Sequence, residues 1–478
     1  MKMHVLASVA VLVGGCASAP PVEHPVLDIA LPQNWTAREL PDGQFGVTWW
    51  EDFGDDGLAA AVDTALAQNY DLQAAAARLE QAAADAQAAE GDLQPTIQGD
   101  FNGSRRKQNF VGFPIPGGEG RVLSTVSTNY GVSLDVSWEI DLWGRLRNTA
   151  RAALADLQAS AADFRGAQLS IAGQTTKAWF AIAEAQQQVD LSLETVQNFR
   201  SATDQVRDRF EAGIRPALDL RLALLNLSNA EAQLQQRYQQ FDRATRQLQL
   251  LLGQYADGVF QTPAGLPQTS PSVPAGMPAD LVARRPDLVA AERQLTAFLV
   301  RADVARTDLL PRLSLTSATG TATDGLRSLI AGDFGVWSLL GNVVAPLWQG
   351  GRLRAQVDRA EARGGEALAN YANAALTAYA EVETALAAEE FLVARERHLA
   401  ESTLQARAAE RLAEERYRAG LETYITVLDS QRSAVIAEAE LIAAQRIRLE
   451  NRVDLYLALG GGFEELEAPV QISGLEGQ

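Results

Sequence analysis

Arg416-Tyr417-Arg418-Ala419-Gly420-Leu421-Glu422-Thr423-Tyr424-Ile425-Thr426-Val427-Leu428-Asp429 is the stretch whose reading decides the fold. It interrupts two long helical patterns, and Gly420 stands where a helix would end in a left-handed residue. The same interruption occurs earlier as Arg209-Phe210-Glu211-Ala212-Gly213-Ile214, and 207 residues separate Arg209 from Arg416. Leu248–Gly253 and Leu455–Gly460 keep that spacing, as do Gly144–Arg147 and Gly351–Arg354. Nearer the start of each copy the spacing is 216, from Asp71-Leu72 to Asp287-Leu288 and from Asp92–Pro95 to Asp308–Pro311. The chain is therefore a tandem duplication. Its first copy carries nine extra residues between Pro95 and Gly144, where a loop absorbs length more readily than a packed helix does.

Within that variable region the residues alternate. Val126, Thr128, Tyr130, Val132, Leu134, Val136, Trp138 and Ile140 lie on one face, and Ser127, Asn129, Gly131, Ser133, Asp135, Ser137 and Glu139 on the other. Period two over this length predicts a strand with one oily and one polar face. It suits a half-buried strand of a soluble sheet or a membrane strand with lipid outside and water inside. Strands are expected at about 96–105 and 126–140, and again at about 312–320 and 334–344 with weaker alternation. Four strands cannot close a membrane barrel alone, so spanning would require several copies.

Each strand pair leads into a long helix. From Leu154 to Phe210 a 3-4 spacing visits seventeen positions, thirteen of them apolar. That is a coiled-coil seam sustained over eight heptads, about 95 Å of helix. A cytoskeletal coiled coil shares the seam but explains neither the strands nor the N-terminus.

There, Lys2 precedes the apolar run Val5–Val13 and Gly14-Gly15-Cys16. The run is too short to span a bilayer and suits a secretory signal. Val13-Gly14-Gly15-Cys16 resembles a lipobox, which implies cleavage after residue 15, acylation (palmitate) of Cys16 and an outer-membrane address because Ala17 follows. An unmodified thiol in an uncleaved N-terminus is the alternative. The expected organisation is a signal over 1–15, a linker over 16–54, a first repeat over 55–253 with its tip near 209–219, and a linker over 254–279. A second repeat over 280–461 with its tip near 416–429 and an acidic tail over 462–478 follow.

The net charge of −19 argues against a nucleic-acid partner. One cysteine and three histidines leave no set for a disulfide, a metal centre or a Ser-His-Asp triad, so no enzyme and no cofactor are expected.

The lipobox, Trp49-Trp50-Glu51-Asp52-Phe53, Asn69-Tyr70-Asp71-Leu72, Arg284-Arg285-Pro286-Asp287-Leu288 and both tip turns together resemble the bacterial outer-membrane efflux factors of the TolC and OprM type. The resemblance covers nearly the whole chain. It implies a mainly α fold with a membrane β-barrel: a homotrimer of twelve strands, four per protomer, continued by a periplasmic α-helical barrel. Such a duct conducts drugs and other small molecules passively from the periplasm, served by a periplasmic adaptor and an inner-membrane pump of the RND type. Adaptor contacts carried over from the family fall on Arg209, Ala212, Gly213, Arg416, Ala419 and Gly420. The gate falls on Ile425, Thr426 and Asp429, and a latch between the tips on Tyr417 and Asp219. A plain helix-surface carboxylate is the alternative reading of Asp429.

Overall fold

In a computed structural model the described residues are 35–36, 46, 48–110, 122–260, 263, 265–267 and 284–461. The expected signal, Cys16, the acidic tail and most of both linkers lie outside them. Helices α1 (Asp56–Gln68) and α2 (Tyr70–Gly91) precede strands β1 (Thr96–Phe110) and β2 (Leu123–Ile140), then α3 (Arg145–Glu211) and α4 (Ala217–Leu251). The second set is α5 (Pro286–Thr307), β3 (Arg312–Thr323), β4 (Gly335–Val344), α6 (Arg352–Arg418) and α7 (Tyr424–Ala458). Corresponding helices are equal in length: 22 residues in α2 and α5, 67 in α3 and α6, 35 in α4 and α7. The strands differ, at 15 and 18 residues in the first copy against 12 and 10 in the second.

The chain divides into two units. One comprises Glu80–Leu157 and Arg293–Ala369 and contains an antiparallel sheet of order β1-β2-β3-β4. Its strands outrun the expected ends: β1 continues to Phe110 and β2 starts at Leu123, so Arg105 pairs with Thr128 and Lys107 with Val126. The ladder is made by backbone groups, and pairing therefore continues where the oily alternation has stopped. At the exit of β2, Asp141 accepts hydrogen bonds from the backbone N–H groups of Leu146 and Arg147 at 3.1 and 2.9 Å, capping α3. Glu139 receives both Nε and Nη2 of Arg145 at 3.0 and 2.8 Å.

The second unit holds the aromatic core. Trp49, Trp50 and Phe53 form a short 3-10 helix inside the range expected to be linker, yet they are 0%, 3% and 4% exposed. Trp49 stacks on Tyr456 at 5.0 Å and Phe53 meets Phe180 edge-on at 5.1 Å. The linker expectation is corrected here, because burying three large rings outweighs the absence of any periodicity.

Two family motifs prove to be one structural device made twice. Asn69 accepts the N–H of Leu72 at 3.1 Å and donates to the carbonyl of Leu251, at the end of α4, at 2.9 Å. In the second copy Arg285 donates to the carbonyl of Ala458, at the end of α7, at 3.1 Å, while also pairing with Asp287 and Glu381. Gly253 and Gly460 complete the match. A Cβ at either would stand 2.5 or 2.9 Å from the carbonyl oxygen of Gln68 or Arg284, the same contact in the two repeats.

Candidate functional site

The two tips, both in the second unit, end their long helices in the same hydrogen-bonded turn. At the first, Gly213 has φ +72° and donates to the Phe210 carbonyl at 2.9 Å, and Ile214 donates to the Arg209 carbonyl at 2.8 Å. At the second, Gly420 has φ +76° and donates to Tyr417 at 3.0 Å, and Leu421 donates to Arg416 at 2.9 Å. This is the Schellman cap, in which a left-handed glycine lets two N–H groups satisfy orphan carbonyls. Unlike Gly253 and Gly460, a Cβ at Gly213 or Gly420 would meet nothing within 4 Å. Ala212, Gly213, Arg416, Ala419 and Gly420 are all exposed, and Arg209 is half-buried.

Behind the turns lies a small apolar cluster of Val206, Ala223, Ala413, Tyr417, Tyr424 and Val427. It holds the two hairpins together. Tyr417 packs on Tyr424 at 5.4 Å, and the guanidinium carbons of Arg209 and Arg215 lie 5.3 and 4.7 Å from the Tyr417 ring centre. Both cations come from the first tip and the ring from the second, so cation–π attraction ties the tips. The expected Tyr417–Asp219 contact is not formed among the described residues, where the buried Tyr417 hydroxyl has no hydrogen-bond partner. Asp219 instead acts on Tyr424, whose hydroxyl is pushed up to about 12 by burial first and by the nearby Tyr417 and Asp219 after that. Arg215 carried no sequence signal, because nothing in a single tip says which ring of the other it will meet.

The helix after the second tip opens with Thr423, whose hydroxyl accepts the Thr426 N–H at 3.4 Å. Glu422 accepts the Thr426 hydroxyl at 3.1 Å and sits 3.6 Å from Arg416. On α7, Tyr424, Val427, Gln431 and Ala434 are buried, so Ile425, Asp429, Arg432 and Ile436 form the opposite, exposed stripe. Asp429 accepts Arg432 Nη2 at 2.8 Å, three residues along the same helix. The i, i+3 spacing of this pair is legible in the sequence. Both side chains are mostly exposed, so the pair is worth at most about 0.5 kcal/mol and leaves the carboxylate free to swing.

Above the tip, a groove of about 560 Å³ runs between α3, α6 and α7. Arg407 is its hub, paired with Glu438, with Glu410 at 3.1 Å and with Glu194 at 3.6 Å. Burial pushes the Glu410 carboxyl above the ordinary glutamate range, with Arg407 pulling the other way. Among the described residues, no group of three or more His, Cys, Asp or Glu could hold a metal ion, and no helix is long and apolar enough to cross a membrane.

The sequence pattern of the family described as outer membrane efflux protein matches residues 61–254 and 277–461. The pyoverdine export outer membrane protein OpmQ of Pseudomonas putida is 32% identical over 462 residues, covering 94% of this chain and 95% of the relative. Outer membrane protein OprJ of Pseudomonas aeruginosa is 31% identical over 461 residues, covering 96% and 95%. The crystal structure of the CmeC outer membrane channel of Campylobacter jejuni superposes with a TM-score of 0.87 at 26% identity, covering 93% of this chain and 95% of that one. The repeat organisation, the helical tips and the sheet are thus those of outer-membrane channel proteins and not of enzymes, and the chain belongs to the outer membrane efflux protein family.

Proposed function

We propose that three copies of this chain close into a twelve-stranded barrel in the outer membrane, continued by a helical tunnel in the periplasm. The assembly is the passive exit duct of a tripartite efflux pump. The observation that carries this reading is a four-stranded sheet with unpaired outer edges on β1 and β4 among the described residues, in a chain whose long helices turn at two matched tips. Each backbone group left unpaired in lipid costs several kcal/mol, so the sheet must be completed by other copies. Energy and cargo selection lie with an inner-membrane pump of the RND type. A periplasmic adaptor seats on Arg209, Ala212, Gly213 and on Arg416, Ala419, Gly420, where the backbone is open to close approach. Cys16 carries the lipid anchor.

The gate is the exposed stripe of α7. Three Asp429 carboxylates around a narrow axis repel one another and attract cations, with Ile425 and Thr426 at the same level narrowing the opening. Docking at the tips spreads the stripe. The test is the purified full chain in detergent and in planar bilayers. A trimeric mass and discrete conductance are expected, with a larger conductance for Asp429→Ala. A monomeric particle without conductance sinks the duct reading, and an unchanged conductance in Asp429→Ala removes the gate alone.

A further inference from the structure

The sheet separates its charges by face. Pairing places the odd residues of β1 and the even residues of β2 on one side, with the odd residues of β3 and β4. This side carries Ile97, Phe101, Leu134 and Trp337, at 65%, 63%, 48% and 80% exposure, so it is an apolar face that no described residue covers. Among the described strand residues it bears two charges, Arg105 and Lys107, and no carboxylate. The other side mixes signs, with Asp100, Arg106, Asp135, Glu139 and Arg312.

The order along β1 on the apolar side is directional. Moving away from α2, Phe101 stands opposite Val132, then Gly103 opposite Tyr130, then Arg105 opposite Thr128, then Lys107 opposite Val126. The Tyr130 ring lies across Gly103, its Cδ1 only 3.2 Å from where a Cβ there would be. Hydrocarbon, then a ring with a polar tip, then cations is the profile of a bilayer edge read from the oily middle to the headgroups. Arg105 and Lys107 make no ion pair with any described residue.

We propose that Arg105 and Lys107, with Tyr130 beneath them, bind the anionic headgroup of a glycolipid in the outer leaflet of the outer membrane. The occupant is a lipid whose acyl chains cover Phe101 and Val132 while its phosphates meet the guanidinium and the ammonium. This rests on the barrel reading above, which turns the apolar face to lipid and the β1–β2 loop end outward. Two cations beside an anionic surface contribute about 5.5-fold each to retention, roughly 30-fold together.

The experiment reconstitutes the full chain into phosphatidylcholine vesicles containing bis-phosphorylated or dephosphorylated lipid A, then measures lipid A retained after flotation and mild detergent extraction. The native chain should retain the phosphorylated form roughly 30-fold better than R105S/K107S. It should retain the dephosphorylated form no better than that variant, and Arg106→Ser on the opposite face should match the native chain. Excess inorganic phosphate should not displace the lipid; displacement would mean a simple anion site and overturn the proposal. Equal retention by native chain and double variant, both floating with the vesicles, overturns the lipid site while leaving the barrel reading intact. A native chain that does not float with vesicles overturns both.

Discussion

Gly420 caps a helix and, in the proposed assembly, also leaves room for the adaptor. At φ +76° an alanine would pay the left-handed penalty of about 1–2 kcal/mol, and nothing more, because its Cβ meets no atom within 4 Å. Gly420→Ala should therefore leave global unfolding nearly unchanged while raising amide exchange over residues 416–429 by about 5- to 30-fold. Asparagine tolerates the left-handed region far better, so Gly420→Asn should restore most of that protection. It also places a polar side chain in the open space above the turn. Export in cells lacking the native copy, and adaptor co-purified from their membranes, should then stay low in Gly420→Asn although the tip is re-ordered. Restored protection together with full export would refute the docking argument at this position and leave Gly420 a cap only. Gly460→Ala is the contrast. Its Cβ would press on the Arg284 carbonyl at 2.9 Å, so the loss should appear in global stability.

Tyr417→Phe removes a buried hydroxyl that has no partner, so thermal stability should be unchanged or slightly higher and bilayer conductance unaltered. Tyr417→Leu loses the contacts with Arg209 and Arg215, about 0.5–1 kcal/mol each, and should loosen the tips, seen as larger conductance and faster exchange. A conductance rise in Tyr417→Phe would show that the hydroxyl is the latch after all. Glu410 has its carboxyl raised by burial, so its protonated form is the one the fold favours. The stability it contributes is present below the ordinary glutamate value and is lost as pH rises through the raised one. Exchange around residues 407–414 should accordingly slow as pH falls from neutral toward that range, after correction for intrinsic rates, and Glu410→Gln should flatten the dependence. Equal slopes in the two proteins would remove Glu410 as the titrating group.

The parts of the fold legible in the sequence are those written as short-range period or as spacing between copies. Alternation over 126–140 and the 3-4 seam over 154–210 report local geometry repeated many times, and the 207 and 216 offsets locate both tips. What stayed hidden depends on partners hundreds of residues away. Trp49 and Trp50 read as linker because their core partners, Phe180 and Tyr456, are supplied by α3 and α7. Asn69 and Arg285 were visible as motifs, but that an amide and a guanidinium perform the same tie to Leu251 and Ala458 required the helix ends to be brought beside them. The Arg407 hub was hidden because its carboxylates come from three helices, Glu194 from α3, Glu410 from α6 and Glu438 from α7, and no single helix shows the cluster.

Within the proposed assembly, the duplication supports an assignment of the side that faces the pore. The turns are alike, yet the positions matching Ile425, Asp429 and Arg432 on α7 are Leu218, Leu222 and Leu225 on α4. Leu218 and Leu225 are 61% and 55% exposed within the chain, an apolar stripe at the same register as the charged one. Water favours the first stripe being covered and tolerates the second being open. Equal backbones with leucines on one and Asp429 and Arg432 on the other suit a ring of copies, in which each hairpin pair presents one side to a neighbour and one to the axis. In that assembly we therefore propose the apolar stripe of α4 against the next copy and the Asp429 stripe of α7 against the lumen. The proposed gate carboxylate, Asp429, then stands on the side that stays wet, where its charge can act on whatever passes.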